Sequence, residues 1–126
     1  MSIAKLNKLG QRIFEQRYAY PGEKGWGDRS KAVANHVASA ESDQNKEKIS
    51  KKFFEVISSG DFIPGGRILF GAGRKQYNLL NCYVIIPEDS VESIGKTIQD
   101  VYKISCAGGG IGFNFSKIRP RGDDIQ

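Results

Sequence analysis

Glycine is the sequence feature that most constrains how this chain can fold. There are 15 glycines among 126 residues, nearly twice the average share of about 7%. They concentrate at Gly60–Gly73 and Gly108–Gly122. Glycine clusters mark places where the backbone turns sharply or approaches another group closely. These two segments are therefore expected to be tight turns or close-contact surfaces.

Length and composition indicate one globular domain. A chain of 126 residues and 13.9 kDa is too short for a complete large barrel or doubly wound sheet. Its hydrophobic share of 39% and charged share of 26% are ordinary for globular proteins. No apolar run approaches the roughly 18 residues of a membrane span, and the N-terminus lacks the apolar core of a secretory signal. We expect a cytoplasmic protein without a membrane segment.

The formal net charge of +5 is spread along the chain. The densest basic stretch, Lys46–Lys52, is interleaved with Glu47 and followed by Glu55, which predicts a solvated helix face with paired charges. Motifs of nucleic-acid-binding domains are absent. A small basic nucleic-acid binder therefore remains only a remote hypothesis, tested by DNA affinity that falls steeply with salt.

The first 60 residues read as a helical region, and the remainder as a mixed region. Apolar spacing predicts helices over residues 3–19, from Asp28 or Ser30 to Ala40, and from Ser42 or Asp43 to Gly60. Residues 62–73 are too irregular for a helix. Residues 79–86 predict a buried strand and residues 111–118 a second strand. Between these strands, Asp89 or Ser90 caps a helix with a continuous apolar face. The predicted fold class is α/β.

The two cysteines, Cys82 and Cys106, and the single histidine, His36, cannot by themselves form a four-ligand metal site. Each cysteine is expected to be a free thiol, because a cytosolic disulfide would be unusual. Alone, a cysteine in an apolar segment is most often a small buried hydrophobe, and Cys106 fits this description better than Cys82. His36 fits a helix histidine, and Trp26 an anchor for its glycine-rich loop.

The glycine run at 108–110 differs from a dinucleotide-binding fingerprint, because it follows a helix and precedes a strand. It is either a helix cap followed by a tight turn or a stretch of backbone that lies against a ligand. One glycine satisfies a helix cap, whereas three exceed it. We therefore favour close approach to a ligand.

Taken together, the segments FIPGGRIL (62–69), NCYV (81–84), DS (89–90) and GGGIGFNFSKIRPRGD (108–123) have a familiar order. RYA (17–19) before PGE (21–23) adds to the pattern. The chain resembles the N-terminal part of a ribonucleotide reductase large subunit, most closely the adenosylcobalamin-dependent class II form. The resemblance covers nearly the whole chain but only about the first quarter of a typical catalytic subunit.

The resemblance implies a role for four residues at the substrate. Cys82 matches the first member of the redox-active cysteine pair, which reduces the ribose as its 2′-hydroxyl leaves. Gly66 and Asn81 match positions that line the substrate sugar and phosphates. Gly110 matches a glycine whose backbone packs against the substrate.

It also implies a specificity-effector site for a deoxynucleoside triphosphate or ATP. Asp89 matches a carboxylate that contacts the effector deoxyribose, and Arg119 a residue on the effector phosphates. Ser90 and Val91 follow Asp89 at the start of the helix. Helix 90–106 resembles one that packs against its mate in a homodimer.

The implied fold has a helical N-terminal region (1–60) and then, over 61–126, the first strands of a ten-stranded α/β barrel. Adenosylcobalamin is the implied cofactor, with its ligands outside this chain, and the remaining portion of the catalytic subunit is the implied partner. The radical-bearing cysteine and the second redox cysteine would also lie there, so the chain is expected to be inactive alone, as a fragment or a split subunit. The alternative hypothesis is a nucleotide-binding regulatory module without catalysis.

Overall fold

The computed structural model describes residues 2–75 and 77–124. Its contacts divide the chain into two compact units, one ending at Leu79 and the other beginning at Leu80, so the expectation of one globular domain is wrong. The first unit is helical and the second contains two strands joined by a helix. This order confirms the predicted α/β class, with a helical region followed by the start of a sheet. None of the helices in the described ranges is long and apolar enough to cross a membrane.

The described residues of the first unit form four α-helices and one π-helical turn: α1 (Lys8–Ile13), the π-turn (Phe14–Tyr18), α2 (Trp26–Ala38), α3 (Asp43–Ser58) and α4 (Gly66–Gly71). The prediction of one regular helix over residues 3–19 is therefore wrong: the helix begins at Lys8, and it becomes a π-helical turn at Phe14. The side chain of Asn7 sets the start, because its oxygen accepts a hydrogen bond from the backbone N–H of Gly10 at 2.7 Å.

The core of the first unit forms where α2 and α3 meet the π-turn. Val33 and Ala34 of α2 are fully buried. Trp26 packs edge-on against Phe14, with ring centroids 6.4 Å apart, and donates its indole N–H to the carbonyl of Ile57 at 3.1 Å. A buried indole needs such a partner, so Trp26 fixes the start of α2 against the end of α3. The expectation that Trp26 is an anchor is confirmed.

Two sequence expectations for this unit need correction. The segment 62–73 contains a helix, α4, which is too short to show helical periodicity in the sequence. The lysines at 46–52 are solvent-exposed as predicted, but among the described residues no salt bridge joins them to Glu47 or Glu55. The face is solvated rather than paired.

A buried arginine connects three separate parts of the first unit. The guanidinium of Arg29, on α2, is only 1% exposed; its Nη1 lies 3.0 Å from Oε1 of Glu23, and its Nη2 donates to the carbonyl of Ala72. The other oxygen of Glu23 accepts the backbone N–H of Tyr20 at 2.9 Å. Arg74 lies over the ring of Phe70 at 3.9 Å. These contacts hold the loop before α2 and the end of α4 against α2.

The second unit is a strand–helix–strand arrangement: β1 (Cys82–Ile85), α5 (Val91–Cys106) and β2 (Gly110–Phe113). The strands are parallel, with Cys82 opposite Gly110 and Ile85 opposite Phe113. Parallel strands need a crossover connection, and α5 supplies it. Both strands are shorter than predicted. The expectation of a buried strand is wrong, because Val84 is 74% exposed and the two described strands have only one neighbour each.

Candidate functional site

Cys82 is the chemically reactive residue of the first candidate site, which lies at the start of the two-stranded sheet. Its thiol is free and exposed. Gly110 lies opposite it in the register, and the N–H of Gly110 donates to the carbonyl of Asn81 at 2.8 Å. A Cβ added to Gly110 would lie 3.7 Å from the Cys82 Sγ. The structure therefore brings three of the four residues expected at the substrate, Asn81, Cys82 and Gly110, to one place.

The three consecutive glycines serve three different purposes. Gly108 has φ of 73°, the left-handed conformation with which helices commonly end. A Cβ at Gly109 would lie 2.7 Å from both Ile104 Cγ2 and Tyr83 Cε2, so this glycine is required for packing inside the unit. At Gly110 a Cβ would meet ordinary contact distances. Close approach to a ligand is therefore a hypothesis about Gly110, not about the whole run.

The second candidate site lies at the N-terminus of α5. Ser90 is the N-cap, and its hydroxyl accepts the backbone N–H of Ser93 at 3.2 Å. This confirms the predicted cap and places Asp89 immediately before the helix and Val91, which is exposed, at its first position. The structure thus gathers Asp89, Ser90 and Val91 where backbone N–H groups and the helix dipole favour an anion.

Arg119 reaches this helix start from the segment that follows β2. Its Nε donates to Oδ2 of Asp89 at 2.6 Å, and its Nη2 donates to the carbonyl of the same residue at 3.2 Å. The other carboxylate oxygen of Asp89, Oδ1, is buried and has no hydrogen-bond partner among the described residues. Asp89 therefore retains one acceptor that is oriented by Arg119 but not used by it.

A second ion pair next to this one was missed by the sequence reasoning. The ammonium of Lys117 pairs with Oε1 of Glu88. The backbone N–H of Glu88 donates to the Ser93 hydroxyl at 2.9 Å. The sequence shows two adjacent acidic residues before α5 and, after β2, two basic residues separated by one position, and this pattern could have indicated a second pair. Their pairing across 29 residues depends on the parallel arrangement of the strands.

Gly66, the fourth residue expected at the substrate, belongs to the first unit, where it is the first residue of α4. A Cβ at Gly66 would lie 3.2 Å from the hydroxyl of Tyr18. Tyr18 ends the π-turn, and its carbonyl accepts a hydrogen bond from Arg74 Nη2 at 2.9 Å. The neighbourhood of Gly66 is therefore set by Tyr18, which sequence reasoning did not single out.

The remaining cysteine and histidine do not form a further site. Cys106 ends α5 and is exposed, so the expectation that it is buried is wrong: α5 has no buried residue. His36 is half-buried on α2. Among the described residues no group of three His, Cys, Asp or Glu side chains could hold a metal ion.

Comparison with known proteins places both units in one family. Residues 4–77 match the family model for the ribonucleotide reductase all-alpha domain. Residues 80–126 match the model for the ribonucleotide reductase barrel domain. The chain therefore belongs to the ribonucleotide reductase family and corresponds to the part of the large subunit where the all-alpha domain is followed by the barrel domain.

Two curated relatives indicate which kind of ribonucleotide reductase this chain is similar to. The vitamin B12-dependent ribonucleoside-diphosphate reductase of Thermoplasma acidophilum is 45% identical over 74 residues, which are 59% of this chain and 10% of that protein. The enzyme with the same description from Mycobacterium tuberculosis is 29% identical over 96% of this chain and 19% of its own length. The chain thus spans less than a fifth of the curated relatives that it matches here.

A solved structure supports the fold assignment. The Actinobacillus ureae class Id ribonucleotide reductase alpha subunit superposes with a TM-score of 0.75 at 25% identity, over 95% of this chain and 22% of that one. The matched proteins are reductases, and they do not favour the alternative of a regulatory module without catalysis.

Proposed function

We propose that this chain supplies part of the active site of a ribonucleotide reductase, and that Cys82 is one of its two reducing thiols. The observation that carries this proposal is an exposed Cys82 thiol at the start of β1, directly opposite Gly110 in the parallel register. Together with a thiol from the rest of the subunit, Cys82 would reduce the ribose. The two thiols become a disulfide, the C2′–OH bond becomes C2′–H, and the oxygen leaves as water.

The rest of the subunit also has to begin and complete this reaction. In our proposal a thiyl radical on another cysteine of the complete subunit abstracts the 3′-hydrogen of the ribose and later returns a hydrogen to that carbon. The second thiol must approach Cys82 to about 5.5 Å between Cα atoms to form the disulfide. The present chain alone is then inactive, because it contains one assigned redox thiol and no radical-bearing cysteine.

The substrate would lie against backbone at Gly110, next to Asn81 and the reducing thiol, and the resemblance assigns Gly66 to substrate binding as well. Glycine permits the closest approach of backbone to a ligand, because it has no side chain. The parallel register supports this role for Gly110, because it places that residue directly across from Cys82.

A specificity effector, a deoxynucleoside triphosphate or ATP, would bind at Asp89, Ser90, Val91 and Arg119. The buried and unpartnered Oδ1 of Asp89 supports this assignment, because a sugar hydroxyl would donate the hydrogen bond that this acceptor lacks. The phosphates would lie near the basic segment that carries Arg119.

Adenosylcobalamin is our proposed cofactor for the complete enzyme, because the two curated relatives above are described as vitamin B12-dependent. When bound, it would supply the radical. We assign the cofactor's contacts to the rest of the subunit, where the resemblance also places its ligands. The product would be deoxyribonucleotides for DNA replication, made in the cytoplasm.

Replacement of one sulfur atom tests the redox assignment. We expect Cys82→Ser, in a reductase reconstituted from this chain and the rest of its subunit, to lose multiple-turnover reduction of ribonucleoside di- or triphosphates with adenosylcobalamin and a dithiol. Cys106→Ser is the matched control, because Cys106 is the other exposed free thiol, and it should remain active. Unchanged multiple turnover in Cys82→Ser would show that the redox assignment is wrong.

We also propose a homodimer through helix 90–106. The apolar residues Val91, Ile98 and Tyr102 lie on one stripe of α5 and are 55%, 67% and 71% exposed. Such a stripe needs a partner. We expect Ile98→Asp to make the assembled reductase monomeric in sedimentation, whereas Lys103→Asp, an exposed polar position on the same helix, should not. A dimer that survives Ile98→Asp would argue for another interface.

A further inference from the structure

Two ion pairs of different exposure lie side by side at the N-terminus of α5. Glu88 pairs with Lys117 and Asp89 pairs with Arg119. The two acids are adjacent in the loop before α5, and the two cations are separated by one residue after β2. One proposed nucleotide site therefore has two cations close to it, of which only Arg119 has so far been given a role.

The difference in exposure indicates which cation can leave its carboxylate and bind a ligand instead. The side chains of Arg119 and Asp89 are 21% and 25% exposed, and Arg119 makes two hydrogen bonds to Asp89. The side chains of Lys117 and Glu88 are 53% and 63% exposed. Exposed pairs contribute little to stability, so Lys117 can exchange its carboxylate for a phosphate at small cost.

Glu88 is held at a fixed place beside this lysine. Its N–H donates to the hydroxyl of Ser93 at 2.9 Å, and its carbonyl accepts the N–H of Ser90 at 2.9 Å. The helix cap thus determines where the Glu88 backbone lies. The carboxylate consequently competes for Lys117 at close range with any anion that binds at the start of α5.

We propose that Lys117 binds the phosphates of the effector nucleotide and that Glu88, as an internal competitor for Lys117, lowers the affinity of the site. This inference rests on the proposed effector site and assigns two further residues to it. A ligand with several phosphates gains a second cation when Lys117 leaves Glu88, whereas a nucleoside gains nothing from this exchange. Because Glu88 competes for Lys117, the site binds triphosphates less tightly than it would with Lys117 and Arg119 alone.

The experiment measures binding of ATP and of adenosine by calorimetry, in the reductase assembled from this chain and the rest of its subunit. We expect Glu88→Gln to bind ATP about two- to fivefold more tightly and Lys117→Gln to bind it about two- to fivefold more weakly, the range measured for exposed ion pairs. The double variant should behave like Lys117→Gln. Adenosine affinity should not change in any of the three.

Control variants separate the proposed exchange from a general effect of charge. Glu92, in the first turn of α5, is exposed and has no ion pair among the described residues. If Glu92→Gln tightens ATP binding as much as Glu88→Gln does, or if the double variant is as tight as Glu88→Gln alone, the proposed competition for Lys117 is wrong.

A third variant distinguishes failure of this inference from failure of the effector site. Asp89→Ala should weaken the binding of ATP if the proposed effector site is correct. If Asp89→Ala weakens binding while Glu88→Gln and Lys117→Gln match the wild type, only the role of Lys117 and Glu88 is overturned. If Asp89→Ala also matches the wild type, the effector site and this inference are both overturned.

Discussion

Removal of the charge on Glu23 should destabilise the first unit more than any comparable surface change. Burial lowers the pKa of Arg29, and the attraction of Glu23 opposes this effect without outweighing it. The guanidinium is therefore costly to bury, and Glu23, only 11% exposed, is its one described carboxylate partner. In Glu23→Gln the cation stays buried without a counter-charge.

The expected loss in the free energy of unfolding depends on which contacts of Glu23 a glutamine can keep. Breaking a buried ion pair by removing one partner costs about 3–5 kcal/mol. The amide oxygen of glutamine can still accept a hydrogen bond from Arg29 or from the N–H of Tyr20, so we place the loss near the lower end, about 3 kcal/mol. Domains are stable by only about 5–15 kcal/mol, and the loss would move a urea midpoint by about 1–3 M.

Fluorescence of Trp26, the single tryptophan of the chain, reports this unfolding because the indole is buried against Phe14. Urea titration of the whole chain gives the free energy of unfolding. Glu41→Gln is the matched control: Glu41 is exposed and has no side-chain partner among the described residues. If the two variants agree within about 0.5 kcal/mol, the range of ordinary surface substitutions, the reasoning about Arg29 is refuted.

The sign of the pH dependence follows from the same lowered pKa. The folded state binds the Arg29 proton less tightly than the unfolded chain does, so stability from this group can rise only as pH rises through its lowered pKa. Near neutral pH the guanidinium is charged in both states. Arg29 therefore contributes a constant cost there, and we expect no change in the Glu23→Gln effect across neutral pH that originates from Arg29.

Two further predictions concern the second unit. Ser90→Ala should lower the free energy of unfolding by about 1 kcal/mol, measured by urea titration followed by circular dichroism, because the Ser93 N–H loses its acceptor; an unchanged midpoint would show that this cap is dispensable. Gly109→Ala should be clearly less stable than Gly110→Ala in the same assay, because its Cβ would meet Ile104 and Tyr83 at 2.7 Å, and equal stability of the two would contradict the packing role of Gly109.

The long helices and the cap of α5 were predictable from the sequence. Ser90 caps α5 as expected, because a cap is a local interaction within one turn. Ser42 lies at the N-cap position of α3 but makes no side-chain cap hydrogen bond, and α2 begins at Trp26 after Gly25, not at Asp28 or Ser30 as predicted. Helix α4 was not predicted, because six residues are too few for helical periodicity to define it, and the two strands were predicted in place but too long. The break of the first helix into a π-turn at Phe14 also has no local sequence signature.

The candidate site was predictable to a similar degree. Motif order placed Asn81, Cys82 and Gly110 in one functional group, and the parallel register brings these three together. Motif order also placed Asp89 and Arg119 at one effector site, but it did not show that their side chains pair. Arg119 lies 30 residues away, and only the return of β2 beside β1 brings them into contact. The pairing of Lys117 with Glu88 arises for the same reason.

The glycines at 108–110 show most clearly what the amino-acid sequence predicts and what the tertiary structure adds. From the sequence, residues 108–110 were expected to be either a helix cap with a tight turn or backbone close to a ligand, because glycine permits conformations and approaches that other residues do not. The packing of the folded unit assigns a different purpose to each glycine. Gly108 turns the chain, Gly109 admits the ring of Tyr83, and Gly110 faces Cys82. The reason is physical: conformational preference is a property of one residue, whereas steric exclusion depends on neighbours distant in sequence that the fold brings close.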